Sequence, residues 1–266
     1  MLKMFSPCLT IKVVAAAVLG LIYASSQAIA APSCCSAETK TADVPSLQKE
    51  LDDRANKFAA TAPESMKETF KKGIEHVAHS GAVESAKHTG DQAPDFTLPD
   101  AKGEEVSLSN LLKEGPVVLV WYRGGWCPYC NMQLHAMQGI LPQLKEAGAQ
   151  LVAISPETPD NSLSTTEKND LQFHVLSDNG NAVAHQYGIV YSLDDDTYNI
   201  LESRLHLSEY NDSESKELPL TVAYVIKQDG TIAWDFVDAD YKKRAEPADI
   251  LKAVQALDGE EAAPAS

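Results

Sequence analysis

The N-terminal part of the chain carries an apolar pattern that is typical of amphipathic helices. Between residues 45 and 80, apolar side chains recur every three or four positions, and Pro63 interrupts the pattern. This spacing predicts two helices that are separated near Thr61 and end at Ser80 and Gly81, which would form an N-terminal helical extension. The apolar positions are Leu47, Leu51, Ala55 and Phe58 in the first helix and Met66, Phe70, Ile74 and Val77 in the second.

From Pro94 onward, short apolar runs alternate with amphipathic segments. The run over 116–122 (PVVLVWY) is β-branched and aromatic, as is typical of a buried central strand. This alternation, ending in a hairpin and a helix, predicts an α/β fold with a central mixed sheet flanked by helices. Residues 189–217 fit poorly and are predicted to be an insertion or lid. Strands are predicted at 95–99, 106–108, 116–122, 149–154, 173–176, 220–226 and 231–237, and helices at 109–113, 130–145, 158–170, 181–187 and 247–257.

The beginning of the chain resembles a targeting segment. Its only charges are Lys3 and Lys12, its apolar run over Val13–Tyr23 is shorter than the roughly 20 residues of a membrane span, and Ala28–Ala30 provides small residues for cleavage. We therefore predict a secretory signal peptide and an exported protein, periplasmic or secreted, without stable membrane insertion after cleavage. An uncleaved membrane anchor is the alternative.

These patterns predict four segments. They are a signal peptide over 1–30, a flexible segment with the helical extension over 31–90, an α/β domain over 91–258, and a disordered tail over 259–266. The chain carries 38 acidic and 22 basic residues, a formal net charge of −16. So strong a negative charge disfavours binding to nucleic acid or to an anionic membrane.

Apart from Cys8 in the predicted signal peptide, the cysteines occur as two pairs. Cys34 and Cys35 lie in a small, polar segment, whereas Cys127 and Cys130 form a CPYC sequence. Cys127 lies between a predicted strand and a predicted helix, where free backbone N–H groups favour a thiolate. We expect the usual division of roles in such a pair: Cys127 exposed and nucleophilic, Cys130 sheltered and resolving the intermediate.

The residues around this pair suit a reactive thiol. Arg123 would lower the pKa of the thiol and bind a developing oxyanion, so it is the third predicted catalytic residue. Gly124 and Gly125 let the backbone bend and a partner approach. Trp126 and Tyr129 would form walls of the site.

Other functions of the cysteine pairs remain open at this point. The CPYC pair could be a structural disulfide or half of a zinc site, but the sequence has no second CxxC, so no metal and no cofactor are predicted. Cys34 and Cys35 could form a vicinal disulfide, bind a soft metal, link two chains or have no role.

The segment Trp121–Cys130 (WYRGGWCPYC) resembles the active-site segment of bacterial peroxiredoxin-like proteins. These proteins belong with the alkyl hydroperoxide reductase and thiol-specific antioxidant family, on the thioredoxin-like fold. Residues 91–98, 153–158 and 227–232 resemble further segments of that family. The resemblance covers about residues 45–257.

The resemblance implies a thiol-dependent peroxidase that reduces hydrogen peroxide and organic hydroperoxides. Cys127 would become a sulfenic acid, Cys130 would condense with it to an intramolecular disulfide, and a thioredoxin-type donor would reduce that disulfide. An oligomer is compatible with this expectation. The predicted substrate pocket comprises Trp121, Tyr122, Gly124, Gly125, Trp126, Tyr129 and Thr221.

Three positions depart from related patterns. Gly124 and Val120 stand where mainstream peroxiredoxins have a hydroxyl residue and a proline, and Thr221 stands where thioredoxin-like proteins have a cis-proline. We expect a trans peptide bond before Thr221, because a cis bond before a residue other than proline costs about 2.5–4 kcal/mol. The departures keep open a second function, an exported thiol–disulfide oxidoreductase. A thiol-based metal-binding or redox-sensing module is a third.

Overall fold

A computed structural model of the protein describes residues 44–261, with side chains up to residue 257. The predicted signal peptide, Cys34 and Cys35 lie outside these residues. None of the helices within the described range is long and apolar enough to cross a membrane.

The chain folds into short strands and helices. The strands are β1 (Thr97–Pro99), β2 (Glu105–Ser107), β3 (Val117–Trp121), β4 (Gln150–Ser155), β5 (His174–Ser177), β6 (Val190–Ser192), β7 (Glu217–Pro219), β8 (Ala223–Ile226) and β9 (Ile232–Phe236). The helices are α1 (Leu47–Thr61), α2 (Glu64–Ala78), α3 (Ala82–Ser85), α4 (Leu108–Glu114), α5 (Pro128–Glu146), α6 (Pro159–Lys168), α7 (Ala182–Gln186), α8 (Asp195–Leu205), α9 (Leu207–Asn211) and α10 (Pro247–Glu261).

The helical extension is present as predicted. Its two helices, α1 and α2, are separated at Ala62 and Pro63. Proline suits the start of a helix because it lacks an N–H group that would otherwise be left unpaired. Leu47 and Leu51 are buried where α1 packs against α5.

The core is a five-stranded mixed sheet in the order β5-β4-β3-β8-β9. Strand β3 pairs in parallel with β4 and antiparallel with β8, and every residue of β3 is buried. This explains its continuous apolar sequence, because a central strand is covered on both faces. The predicted fold class, a central mixed sheet flanked by helices, is confirmed.

The parallel pairing of β3 with β4 positions the functional residues. Trp121 lies opposite Ile154, so both strands end at the same edge of the sheet. The chain after β3 runs through the CPYC segment into α5, and the chain after β4 runs through Glu157 into α6. In open α/β sheets, ligands bind beyond such strand ends.

Some elements differ from their predictions. The segment 189–217 contains β6, α8, α9 and β7, and Tyr191 of β6 is paired with Leu218 of β7. Helix α4 begins at Leu108, one position before its predicted start at residue 109. Helix α10 continues to Glu261, three residues into the segment predicted to be a disordered tail; the remainder of that tail lies outside the described residues.

Candidate active site

Cys127 is the residue that immediately precedes α5. Its backbone is extended (φ −87°, ψ 116°), and Pro128 begins the helix. The N–H of Cys127 donates to the carbonyl of Gly124 at 3.0 Å, and the N–H of Cys130 donates to the carbonyl of Cys127 at 3.1 Å. The predicted helix N-terminus is therefore confirmed, although α5 begins two residues before the predicted start.

The guanidinium of Arg123 contacts the sulfur of Cys127. Its Nη2 donates to Cys127 Sγ at 3.3 Å, and the side chain is buried. Its central carbon lies 3.8 Å from the ring centroid of Tyr241 and 5.0 Å from that of Trp126. These rings hold the cation against the sulfur, since aromatic faces attract guanidinium groups.

The two thiols have opposite pKa shifts. Burial by itself raises the pKa of Cys127, but a hydrogen bond from Cys130 and the positive charges of Arg123 and Arg244 outweigh burial and hold this pKa well below its usual range. Burial, together with the neighbouring Cys127, raises the pKa of Cys130 well above its usual range. These shifts favour ionisation of Cys127 before Cys130. The nucleophilic role of Cys127 and the resolving role of Cys130 stay predictions.

Both sulfurs are inaccessible to solvent, which corrects one expectation. Cys127 and Cys130 are each 0% exposed, so the prediction that Cys127 is exposed is wrong. Arg123 contacts the sulfur of Cys127, and Tyr241 lies against the far side of that guanidinium. No sequence pattern around the motif reveals this covering. The two cysteines are not joined by a disulfide in this structure, and the Cys127–Cys130 disulfide stays a prediction.

A second buried arginine, Arg244, lies beside Cys130. Its Nη2 is 3.5 Å from Cys130 Sγ, and its Nε donates to Gln133 Oε1 at 2.8 Å. Its Nη1 donates to the carbonyls of Tyr241 and Lys243. Sequence reasoning missed Arg244 and Tyr241, because both lie in an irregular segment more than a hundred residues after the motif.

Glu157 is a buried carboxyl group beneath the glycine turn. Its Oε1 accepts the N–H of Gly125 at 2.9 Å, while Tyr122 and Thr165 donate to Oε2 at 3.3 and 3.4 Å. Burial raises the pKa of Glu157 to about 7, although these hydrogen bonds favour its charged form. Glu157 lies in the segment 153–158, which resembles the family, but its place in the sequence predicts no role for it.

The glycines of the motif are required by close contacts. A Cβ atom at Gly124 would lie 2.3 Å from Trp126 Nε1, and the φ of Gly124 is +146°. A Cβ atom at Gly125 would lie 2.0 Å from Thr165 Oγ1. The turn therefore needs glycine at both positions because it packs against neighbouring side chains.

The predicted pocket residues occupy different environments. Tyr129 stacks edge-to-face with Tyr241 at 5.7 Å, near Arg123. Trp121 packs instead against core rings, with its ring centroid 4.7 Å from that of Tyr187. Thr221 is buried, and the peptide bond before it is trans, as expected. Roles for these residues in a substrate pocket stay predictions.

A mixed sheet with a buried CxxC pair at the start of a helix defines a thioredoxin-like protein. Residues 89–235 of the chain, more than half of its length, match the AhpC/TSA family. The chain therefore belongs to the AhpC/TSA family.

Similar proteins agree with this assignment. Peroxiredoxin Bcp of Escherichia coli K12 is 37% identical over 101 residues, which cover 38% of this chain and 64% of that protein, slightly less than two thirds of its length. Chloroplastic peroxiredoxin Q of Triticum aestivum is 31% identical over 172 residues, which cover 64% of this chain and 79% of that protein.

Solved structures share the fold. Peroxidoxin BcpB from Mycobacterium tuberculosis superposes with a TM-score of 0.51 at 25% identity, over 64% of this chain and 97% of that one. Peroxiredoxin 6 of Arenicola marina superposes with a TM-score of 0.54 over 66% of this chain and 76% of that one. Its identity is 16%, so this likeness concerns the fold alone.

Proposed function

We propose that this protein is a thiol-dependent peroxidase that reduces hydrogen peroxide and organic hydroperoxides. The observation that carries the proposal is the contact of 3.3 Å between Arg123 Nη2 and the sulfur of Cys127, whose pKa lies well below its usual range. A thiolate is the nucleophilic form of cysteine, and a buried cation beside it also stabilises the oxyanion that leaves. Membership of a family whose named relatives are peroxiredoxins supports the same activity.

The first step forms a sulfenic acid. The thiolate of Cys127 attacks one peroxide oxygen, an S–O bond forms, and the O–O bond breaks. The departing oxygen carries the electron pair and takes a proton, which yields water or an alcohol. Arg123 stabilises the charge on that oxygen, because the guanidinium already lies at the attacking sulfur.

The second step forms a disulfide. The sulfur of Cys130 attacks the Cys127 sulfenic acid, the S–O bond breaks, and the departing hydroxide takes the Cys130 proton and leaves as water. Arg244, 3.5 Å from Cys130 Sγ, lowers the pKa of that thiol against the effect of burial and so helps it to ionise. A thioredoxin-type dithiol then returns both cysteines to thiols and is itself oxidised.

Buried donor atoms support peroxide binding despite the absence of a hydroxyl group at Gly124. Within the described residues, Arg123 Nε, Trp126 Nε1 and Thr221 Oγ1 are buried without a hydrogen-bond partner. Buried donors are rarely left unpaired in native proteins. We assign Arg123 and Trp126 as donors to the peroxide oxygens.

The cellular compartment in which the protein acts is part of the same proposal. The signal-like N-terminal segment supports an exported, periplasmic or secreted peroxidase, whose donor would be a thioredoxin-like protein of that compartment. Fractionation of a tagged full-length chain tests this, and a tag that remains in the cytoplasm at full length contradicts it.

An exported thiol–disulfide oxidoreductase acting on protein disulfides is the less favoured alternative. The burial of Cys127 does not separate the two functions, because a thioredoxin-type donor of the peroxidase must reach the same buried pair. The peroxidase is favoured because the named relatives are peroxiredoxins.

Stopped-flow fluorescence tests the peroxidase directly. The reduced protein is mixed with hydrogen peroxide, and the emission of Trp126 beside Arg123 is followed. We expect a rapid second-order change that is absent from Cys127→Ser and present in Cys130→Ser, which lacks the resolving thiol but keeps the nucleophile. A rate no higher than that of free cysteine would refute the peroxidase and direct the search to protein disulfides.

A further inference from the structure

Segments outside the family match enclose the cysteine pair. The match spans residues 89–235, whereas α1 and α2 precede it and residues 237–246 follow it. We refer to α1, α2 and residues 237–246 together as the access cover. The segment 237–246 contributes both Tyr241, which lies against Arg123, and Arg244, which lies against Cys130.

Aromatic rings connect the helices of the access cover to the reactive sulfur. Phe58 of α1 contacts Phe70 of α2 edge-to-face with centroids 5.8 Å apart, and Phe70 contacts Tyr241 in the same way at 6.5 Å. Tyr241 in turn lies 3.8 Å from the guanidinium of Arg123, which donates to Cys127. Helix α2 is thus separated from the sulfur by only two side chains.

The access cover is held at its other end by Glu246. The carboxylate accepts hydrogen bonds from the N–H of Leu47 at 3.1 Å, from the N–H of Gln48 at 2.6 Å and from the hydroxyl of Ser46 at 3.2 Å. A carboxylate at a helix N-terminus pairs the free N–H groups and complements the helix dipole. The start of α1 and the segment 237–246 therefore hold each other in place.

We propose that the access cover is a size filter for the peroxidase and that Phe70 and Tyr241 are specificity-determining residues. The inference rests on the proposed function. Hydrogen peroxide is little larger than water and reaches Cys127 through small fluctuations of the packed rings. A bulky hydroperoxide, or the thiol of a protein donor, reaches the buried sulfurs only when Phe70 separates from Tyr241. Among the peroxides of the proposed function, the filter therefore favours hydrogen peroxide and small organic hydroperoxides over bulky ones.

Alkylation tests the filter independently of any peroxide chemistry. In a full-length background in which Cys8, Cys34, Cys35 and Cys130 are serine, Cys127 is the sole thiol. Its reaction rate is measured with iodoacetamide, a small probe, and with fluorescein maleimide, a bulky probe. Phe70→Ala should raise the rate with the bulky probe by roughly three- to tenfold, the population shift expected when the edge-to-face contact between Phe70 and Tyr241, which opposes opening, is lost. The rate with iodoacetamide should be nearly unchanged.

A matched variant controls for loss of a half-buried ring. Phe173 lines a cavity with Leu141 near the far end of α5, so Phe173→Ala should leave both alkylation rates unchanged. Circular dichroism verifies that each variant is folded, and the milder Phe70→Leu should give a smaller change in the same direction. Equal rates of the folded wild type and Phe70→Ala with the bulky probe would overturn the filter.

A second experiment uses the protein with all of its natural cysteines and tests whether the filter selects among peroxides. Oxidation by hydrogen peroxide should be unaffected by Phe70→Ala, whereas oxidation by cumene hydroperoxide should rise by the same factor as the bulky alkylation. If alkylation follows the filter but neither peroxide reacts, the peroxidase proposal fails and the filter stands. If both peroxides react rapidly with the wild type and Phe70→Ala changes neither rate, the filter is wrong and the peroxidase stands.

Discussion

At the residue scale, the chemistry depends on two guanidinium groups buried against two sulfurs. Arg123 and Arg244 are 4% and 3% exposed, and removing a cation from water without a counter-charge costs several kcal/mol. An ionised Cys127 supplies that counter-charge to Arg123, which it contacts. Arg244 instead donates to the carbonyl groups of Tyr241 and Lys243, and its charge also lowers the pKa of Cys127. Arg123 and the thiolate therefore stabilise each other.

Replacing Arg123 tests this dependence. Arg123→Met keeps the volume between Trp126 and Tyr241 but removes the charge, so we expect the pKa of Cys127 to rise. At pH 7 the rate of alkylation by iodoacetamide should fall by about tenfold or more, because an opposite charge within about 4 Å strongly favours ionisation. Well above the thiol pKa, the variant and the wild type should converge. Arg123→Lys keeps the positive charge, so its alkylation rate at pH 7 should fall less than that of Arg123→Met. If the pH dependence of alkylation in Arg123→Met equals that of the wild type, Arg123 does not lower the pKa of Cys127.

The buried carboxyl of Glu157 predicts a pH-dependent stability. Its pKa is raised from 4.5 to about 7 in the folded protein, so between these values the folded state binds more protons than the unfolded state. The free energy of unfolding must then fall as the pH rises through this window. Glu157→Gln has no such titration, and its amide oxygen can still accept the N–H of Gly125.

Urea denaturation at about pH 5 and pH 8 measures the effect. The free energy of unfolding of Glu157→Gln, relative to wild type, should increase by about 2.5 kcal/mol between these pH values. Glu104→Gln, at an exposed position, is the matched control and should show no such change. A pH-independent difference for Glu157→Gln would mean that Glu157 does not titrate in this range.

At the element scale, the sequence predicts strands and helices that have a continuous local pattern. It does not predict strands that form only by pairing with a segment distant in sequence. The run that forms β3 and the helical spacing of α1, α2 and α5 are local signals, and these elements lie within a few residues of their predicted positions. Strand β6 becomes a strand only by pairing with β7, 25 residues later, so the local pattern of 189–217 shows little of it. Arg244 likewise carries no local signal, because the residues around it form neither helix nor strand.

The docking of α1 onto the segment 237–246 gives a prediction at this scale. Glu246→Ala removes the acceptor for Leu47, Gln48 and Ser46, so the first turn of α1 and residues 237–246 should open more often. Their amide hydrogen exchange should accelerate by roughly tenfold or more, because hydrogen bonds to a charged group are worth about 1.5–3 kcal/mol.

A distant surface variant controls this experiment. Glu146→Ala, at the exposed end of α5, should leave exchange in α1 and in residues 237–246 at the wild-type rate. The strands β3 and β4 should retain their protection in both variants. Unchanged exchange in Glu246→Ala would show that other contacts hold α1 in place.

At the scale of the whole molecule, the described chain combines a core that matches the family model with further segments before and after it. The core supplies the sheet, the CxxC pair and Arg123, which the sequence motif predicts because these residues adjoin one another. The covering of that pair could not be predicted, because it needs α2 and the segment 237–246, which are far apart in sequence, to meet at Tyr241. The local motif therefore predicts which residues form the site, whereas the exposure of these residues to solvent depends on the folded chain.

The position of Cys130 within the first turn of α5 has a consequence for survival under oxidative stress. A sulfenic acid that waits for a distant thiol can meet a second peroxide and become a sulfinic acid, which is generally irreversible. Here the second thiol lies three residues from Cys127 in the first turn of α5 and within hydrogen-bonding reach of it, so in the proposed mechanism it is close by when the sulfenic acid forms. The enzyme should therefore resist irreversible oxidation of Cys127 when peroxide is in excess. Proteins whose reactive cysteine lacks a neighbouring second thiol should be oxidised to sulfinic acids instead.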